Sequence, residues 1–155
     1  MSLHPSKYEG LSTFLTHYSE GGNAENAHVA PIFQNSVFTF EDTDTGAAIA
    51  SGEHPGYYYT RLNNPNHTQL ARKLAALEAW DLFKQNTTIL PDELVGGLVF
   101  ASGMAAVTAA VLSCVEAGQT VLTQAALYDG TYLFFKNLAP KYGINVVWVT
   151  DNTEE

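Results

Sequence analysis

Three features are scarce in this chain of 155 residues, and each scarcity excludes a class of protein. A single cysteine, Cys114, cannot form a disulfide within the chain, so a disulfide-stapled secreted scaffold is excluded. Seven lysines and arginines stand against sixteen acidic residues, and the net charge of -9 opposes binding to nucleic acid or to an anionic membrane. All apolar runs are shorter than the roughly 20 residues of a membrane span. We therefore predict a cytoplasmic protein with no nucleic-acid or membrane partner, in which local groups hold any bound anion.

The rest of the composition is that of a folded domain with a core. Hydrophobic residues make up 46% of the chain and charged residues only 15%, which is typical of a globular protein. The five histidines have neither paired helical spacing nor cysteine neighbours, so we predict no metal site. Cys114 lies in an apolar stretch and is predicted to be inert core packing rather than a nucleophile.

Residues 1–62 show neither a sustained helical nor a sustained strand period, and they are rich in Gly, Asn, Ser and Thr. We interpret them as an extended N-terminal arm. The arm carries apolar pairs at Ile32-Phe33 and Val37-Phe38 and the aromatic run Tyr57-Tyr58-Tyr59. Because that is too much apolar surface for a free tail, we expect the arm to pack on a neighbouring subunit.

The chain becomes periodic after Asn64. Asn64 followed by Pro65 is a helix-start signal, and leucines then recur at helical spacing up to about Trp80. A polar connection is predicted over 84–97, with a short helical turn at 92–95. Beyond it, apolar stretches predict strands at 98–101, 120–123 and 144–149, separated by helices at 104–116 and 130–142.

This alternation predicts an α/β fold of βαβ units, with a mostly parallel sheet covered on both faces. Gly118 and Gly143 are predicted to end the two helices, and Pro140 to kink or shorten the second. Because the chain stops directly after the third strand, we expect it to be the front part of a longer protein. Residues 1–62 are then the arm, and 63–155 the first, incomplete part of the α/β domain.

The strongest chemical signal is the turn Ser102-Gly103-Met104, between the first predicted strand and its helix. Gly103 lets the backbone approach a ligand, the Ser102 hydroxyl can donate, and the free amides of the first helical turn point at a negative group, most naturally a phosphate. The pattern matches neither a nucleoside-triphosphate loop nor a dinucleotide fingerprint nor a nucleophile elbow. Taken alone, it is explained equally well by a tight turn with no ligand.

Two further motifs are ambiguous on their own. Tyr59 and Arg61, two residues apart in an extended segment, project to one side and can donate together to one phosphate; a surface cation over an aromatic ring explains them nearly as well. Tyr128 follows the second strand at the sheet edge that carries Ser102, so both face one crevice, where the ring can stack on a flat heterocycle. An ordinary capping aromatic is the alternative.

Together these motifs resemble the Cys/Met-metabolism family of pyridoxal-phosphate enzymes, which includes cystathionine γ-synthase, cystathionine γ-lyase, methionine γ-lyase and O-acetylhomoserine sulfhydrylase. The segments that carry the resemblance occur in the family's order and approximate spacing: Tyr59-Thr60-Arg61 with Asn64-Pro65, Leu77-Glu78, 102–106, 127–132 and Gly143-Ile144. The resemblance covers most of the chain from about His28. It implies that 63–155 begins a three-layer αβα pyridoxal-phosphate-binding domain, of the fold-type I aminotransferase-like class, with a mostly parallel sheet.

The resemblance also implies roles for particular residues. The amides of Gly103 and Met104 would bind the phosphate of pyridoxal 5'-phosphate. Tyr59 and Arg61 would reach that phosphate from a neighbouring subunit, as in a homotetramer built from dimers that share active sites. Tyr128 would stack on the pyridine ring and take part catalytically in proton transfer to or from a small amino-acid substrate.

The implied activity is γ-elimination or γ-replacement on a homoserine-ester, cystathionine or methionine-type substrate. Gly130-Thr131 after Tyr128 favours the γ-acting branch, and Gly130 stands where methionine γ-lyase has a reactive cysteine. Cystathionine γ-synthase, cystathionine γ-lyase and O-acetylhomoserine sulfhydrylase are therefore favoured, without a ranking among them.

The chain departs from the family in two places. The link over 79–95 is longer than usual, so an insertion is predicted on the surface there. No lysine matches the Schiff-base lysine, which would lie beyond residue 155 together with the aspartate for the pyridinium nitrogen and the arginine for the substrate carboxylate. The rival interpretation is a non-catalytic phosphate- or nucleotide-binding module, or an assembly partner that only donates Tyr59 and Arg61 to another subunit.

Overall fold

The computed structural model of the protein describes residues 5–18, 23–85, 88 and 94–149. The chain divides into two compact units, residues 1–99 and residues 100–155. The division falls just before the Ser102 turn, so Tyr59 and Ser102 belong to different units. In the described part of the chain, no helix is long and apolar enough to cross a membrane.

The first unit contains helices, two of them within the predicted arm. Its helices are α1 (Leu11–His17), α2 (Thr43–Ser51), α3 (Pro65–Glu78) and α4 (Trp80–Gln85), with 3-10 turns at Pro5–Lys7 and Ala24–Asn26. The extended conformation predicted for 1–62 is therefore wrong over α1 and α2. These helices have only 7 and 9 residues, which is too short for a sustained period to appear in the sequence.

Helix α2 has a capping residue at each end. Asp42 Oδ1 accepts a hydrogen bond from the backbone N–H of Thr45 at 2.7 Å, which caps the first turn. Gly52 ends the helix in the left-handed conformation, with φ +81°. Hydrogen bonds from Thr45 also lower the pKa of Asp42, so the carboxylate form that makes the cap is favoured.

Helix α3 begins where the sequence predicts, and its first turn fastens the arm. Asn64 caps the helix by accepting from the backbone N–H of Asn66 at 2.9 Å. The Asn66 side chain donates to the carbonyl of Pro31 at 2.8 Å and accepts from the backbone N–H of Phe33 at 2.8 Å. Asn64 Nδ2 donates to the carbonyl of Phe33 at 3.2 Å. Two side-chain amides therefore hold a segment that lies more than thirty residues away in sequence.

The core of the first unit joins α1 to α3 and α4. Its buried members are Tyr8, Phe14, Tyr18, Ala76, Ala79 and Phe83. The ring of Phe14 lies 5.0 Å from that of Trp80, and Lys84 Nζ donates to the carbonyl of Tyr8 at 2.8 Å. The insertion predicted to lie on the surface therefore begins with a helix that is part of the core, since Phe83 has no exposed surface. Most of the rest of the insertion lies outside the described residues, including half of the helical turn predicted at 92–95.

The second unit has the predicted alternation of helix and parallel strand. It contains α5 (Gly103–Cys114), β1 (Thr120–Gln124), α6 (Asp129–Leu133), a π turn (Phe134–Leu138), a 3-10 turn (Ala139–Tyr142) and β2 (Asn145–Val149). Strands β1 and β2 pair in parallel, with Thr120 opposite Asn145 and Gln124 opposite Val149. The predicted βαβ unit is confirmed here.

Pro140 changes the crossover between β1 and β2 as predicted. Proline has no backbone N–H, and its ring collides with the carbonyl four residues earlier, so an α-helix cannot continue through it. The crossover accordingly passes from α6 through the π turn into the 3-10 turn that contains Pro140. Gly143 then ends the crossover with φ +75°, and Gly118 has φ +90° in the turn before β1.

Only one face of the two-stranded sheet is covered by described residues. Phe134, Phe135, Ala139 and Ile144 form the buried cluster on that face, with Val121, Val146 and Trp148 packed against it. Leu122 on the opposite face is 69% exposed. Covering of both faces remains a prediction.

Two expectations for the ends of α5 are wrong. Residues 98–101 form no ladder with any described strand, and Leu98 is 84% exposed. A strand exists only through hydrogen bonds to a neighbour, so an apolar run without such a neighbour stays irregular. Cys114 is exposed rather than buried, because α5 has no buried residue and its apolar composition does not by itself create a core around it.

Because the start of the predicted insertion is buried in the core, two substitutions within α4 are predicted to differ in their effect on stability. We expect Phe83→Ala to lower the free energy of unfolding by about 3–5 kcal/mol, because it leaves a cavity in the core. Leu82→Ala, one residue earlier and about half exposed, should cost less than about 1 kcal/mol. Chemical denaturation of the full-length protein measures both. Equal losses for the two variants would contradict the placement of Phe83.

Candidate functional site

The Ser102 turn is a helix N-terminus with two outward amides. Ser102 has extended backbone angles, and its Oγ accepts a hydrogen bond from the backbone N–H of Ala105 at 3.1 Å. The amides of Gly103 and Met104 donate to no other described residue. A Cβ placed on Gly103 would meet no atom within 4 Å, so the approach to these amides is open. Two free amides at the positive end of a helix form an anion site.

The loop that carries Tyr128 lies close to this turn, and a crevice shared by Tyr128 and Ser102 stays a prediction. It precedes α6 in the loop after β1, and 74% of it is exposed. A Cβ placed on Gly130 would lie 2.7 Å from Tyr128 Cε1 and 3.2 Å from Met104 Sδ. The Thr131 hydroxyl donates to Met104 Sδ at 3.6 Å. The loop after β1 and the first turn of α5 therefore meet around Gly130.

Tyr59 and Arg61 lie side by side in the first unit, as predicted. The Arg61 guanidinium carbon is 5.3 Å from the centre of the Tyr59 ring. Backbone hydrogen bonds hold this segment against residues 36–38, from Phe38 N–H to the Tyr58 carbonyl at 3.1 Å and from Thr60 N–H to the Ser36 carbonyl at 2.9 Å. The Arg61 guanidinium therefore lies over the Tyr59 ring, as in a surface cation–π pair. The same contact brings the phenol and the exposed guanidinium together as hydrogen-bond donors.

This donor set fits a phosphate ester attached to a flat ring. The two amides of the Ser102 turn suit phosphate oxygens, and the exposed Tyr128 ring offers an apolar face within reach of the same turn. Lys84 and Lys136 are engaged elsewhere, the first with the Tyr8 carbonyl and the second 5.3 Å from the centre of the Tyr132 ring.

Sequence reasoning missed two contributors to the site. It considered Met104 only for its backbone amide, whereas the Met104 side chain contacts α6. Thr131 appeared only as part of a family motif. Among the described residues, no group of three or more His, Cys, Asp or Glu could hold a metal ion. The absence of a metal stays a prediction.

Known proteins with similar sequences agree on one family. The profile described as Cys/Met metabolism PLP-dependent enzyme matches residues 12–155. An L-methionine gamma-lyase of Porphyromonas gingivalis is 35% identical over 148 residues, which cover 93% of this chain and 34% of that protein. A homocysteine/cysteine synthase of Saccharomyces cerevisiae is 30% identical, covering 97% of this chain and 31% of the relative. An O-acetyl-L-homoserine sulfhydrylase of Leptospira meyeri is 34% identical over 83% of this chain and 26% of its own length.

A solved structure shares the fold. The crystal structure of an O-acetylhomoserine (thiol)-lyase of Campylobacter jejuni, which contains N'-pyridoxyl-lysine-5'-monophosphate, matches 94% of this chain with a TM-score of 0.74 and 24% identity. This chain covers 31% of that structure. The predicted α/β class is confirmed by this similarity. The chain spans about a third of the length of the relatives it matches.

The matched profile extends over all the motifs that carried the resemblance, from Tyr59 to Gly143. Its description names the cofactor, which confirms the prediction of pyridoxal phosphate for the family. The matched residues include the Ser102 turn and Tyr128. This chain belongs to the Cys/Met-metabolism family of pyridoxal-phosphate-dependent enzymes.

Proposed function

We propose that the full-length protein is a pyridoxal-phosphate-dependent enzyme of sulfur amino-acid metabolism. It would catalyse γ-elimination or γ-replacement on a homoserine-ester, cystathionine or methionine-type substrate. The observation that carries the proposal is the pair of free amides at Gly103 and Met104 beside the exposed ring of Tyr128. The relatives include both lyases and synthases, so the proposal covers both outcomes at the γ-carbon.

The phosphate of the cofactor is held at the start of α5. The amides of Gly103 and Met104 donate to its oxygens, and the dipole of the 12-residue helix favours its negative charge. Ser102 Oγ already accepts from Ala105, so its remaining contribution is to donate its own hydrogen. The net charge of -9 repels a phosphate at long range, which makes these short-range donors necessary.

Tyr59 and Arg61 complete the phosphate site from a neighbouring subunit. The contact between the two side chains keeps the guanidinium close to the phenol, so both can reach one phosphate. Large apolar side chains of the first unit are exposed to solvent: Val29 is 76% exposed and Ile32 is 79% exposed. Such surface suits burial against another subunit of a cytoplasmic homotetramer.

Tyr128 stacks on the cofactor ring and moves a proton. Pyridoxal phosphate, when bound, withdraws electrons from the substrate as its α-proton leaves. The exposed ring of Tyr128 provides a stacking face, and its phenol can accept or donate a proton at the substrate. The proposed activity also requires a Schiff-base lysine, an aspartate for the pyridinium nitrogen and an arginine for the substrate carboxylate, for which this chain offers no matching residue.

Borohydride trapping tests this assignment. We expect reduction of the full-length protein with pyridoxal phosphate to give one stable cofactor-modified lysine, which peptide mapping places after Glu155. Lys7, Lys73, Lys84, Lys136 and Lys141 should stay unmodified. If no form of the protein gives a reducible adduct, the non-catalytic binding module is the better interpretation.

Substitutions at the proposed phosphate site should show how much each donor contributes to cofactor affinity. Arg61→Ala removes a charge-assisted contact of about 1.5–3 kcal/mol, which corresponds to a roughly 10- to 150-fold loss of cofactor affinity. Ser102→Ala removes a neutral contact of about 1 kcal/mol, or roughly 5-fold. Cofactor occupancy after dialysis of the full-length protein measures both, and Arg72→Ala, an exposed arginine on α3, is the matched control. The reverse order of Arg61 and Ser102 would contradict the proposed roles.

A further inference from the structure

Tyr128 is the most exposed part of the candidate site, yet its ring has a defined neighbour. Among the described residues, no other aromatic ring pairs with it, and 74% of the residue is open. The edge of the ring at Cε1 lies 2.7 Å from the position that a Cβ on Gly130 would occupy. A side chain at residue 130 would therefore meet the edge of this ring.

The backbone conformation at residue 130 does not require a glycine. Its φ is not in the left-handed region, unlike that of Gly118 or Gly143. Glycine also costs a helix roughly 1 kcal/mol relative to alanine, and Gly130 is the second residue of α6. The benefit of glycine at this position is therefore space. A methyl group there would have to displace the Tyr128 ring, because no side chain approaches a real Cβ within 3.0 Å.

Met104 closes the other side of the same space. Its Sδ and Cγ lie 3.2 and 3.4 Å from the point where the Gly130 Cβ would stand. The Thr131 hydroxyl donates to that sulfur at 3.6 Å, which fixes an otherwise flexible thioether. Met104 is also one of the two residues with a free amide at the phosphate turn. A single residue thus links the phosphate turn to the segment that carries Tyr128.

We propose that Gly130, Met104 and Thr131 form a ring seat that positions Tyr128 relative to the phosphate turn. They are positioning residues, since they act through the Tyr128 ring. The proposal rests on the proposed function, in which that ring stacks on the cofactor. The Cε1 edge of the ring lies at the seat, and the exposed remainder of the ring stays available for stacking.

The test is Gly130→Ala in the full-length holoenzyme, with Gly10→Ala as the matched control. A Cβ on Gly10 would meet no atom within 4 Å, and Gly10 lies outside the site. Because a displacement of about 1 Å costs up to roughly 100-fold in rate, we expect Gly130→Ala to lower kcat by roughly 10-fold or more. KM and cofactor occupancy should change less than about threefold, because the amides of the phosphate turn are untouched. The circular dichroism of the bound cofactor should change, whereas Gly10→Ala should leave all these measurements at the wild-type value.

A double-mutant cycle separates positioning from a general effect on folding. In a Tyr128→Ala background the ring is absent, so Gly130→Ala should cause no further change in kcat or in the circular dichroism of the cofactor. Thr131→Val, which removes only the donor to the sulfur, should give a smaller change in the same direction. The inference is overturned if Gly130→Ala has the same effect with and without the ring, or if it has none in the wild type. If the wild-type protein binds no pyridoxal phosphate, the proposed function falls and this inference falls with it.

Discussion

The candidate site depends on the residue at which α5 begins. Ser102 satisfies the amide of Ala105 with its own oxygen, which leaves the amides of Gly103 and Met104 as the free donors. A start one residue away would free different amides, and Gly103, the residue without a side chain, would no longer stand at the point of approach. The hydrogen bond is ordinary in strength, about 1 kcal/mol. Its importance is that it sets the register of the helix against the rest of the site.

In the second unit, α6 and the loop before it pack against the first turn of α5. The parallel pairing of β1 and β2 requires a crossover, and the crossover starts directly after Tyr128. Gly130 and Thr131 occupy its first turn, where the side chain of Met104 meets them. The first turn of α5 and the first turn of α6 thus meet through the side chain of one methionine.

The first unit shows how polar side chains can organise a segment with little regular structure. The amides of Asn64 and Asn66 hold the backbone at Pro31 and Phe33, and backbone hydrogen bonds hold Tyr58 and Thr60 against residues 36–38. Each bond contributes only about 0.5–1.5 kcal/mol. Together they give the Tyr59 and Arg61 segment one conformation, in which the guanidinium lies over the phenol ring.

The sequence by itself determined the elements whose signals are local. The Asn64-Pro65 start of α3, the Gly143 stop and the disturbance at Pro140 follow from the capping and backbone preferences of single residues. The strands predicted from apolar stretches at 120–123 and 144–149 are found at Thr120–Gln124 and Asn145–Val149. The family motifs also indicated the Ser102 turn and Tyr128 as candidate site residues. Tertiary structure decided whatever needed a distant partner. The apolar run 98–101 has no neighbouring strand among the described residues, and the burial of Phe83 requires the aromatic side chains of the N-terminal segment, which are about seventy residues away. The space at Gly130 likewise became visible only when Met104 and Tyr128 were folded around it, because burial and contact are properties of surfaces brought together and not of any one segment.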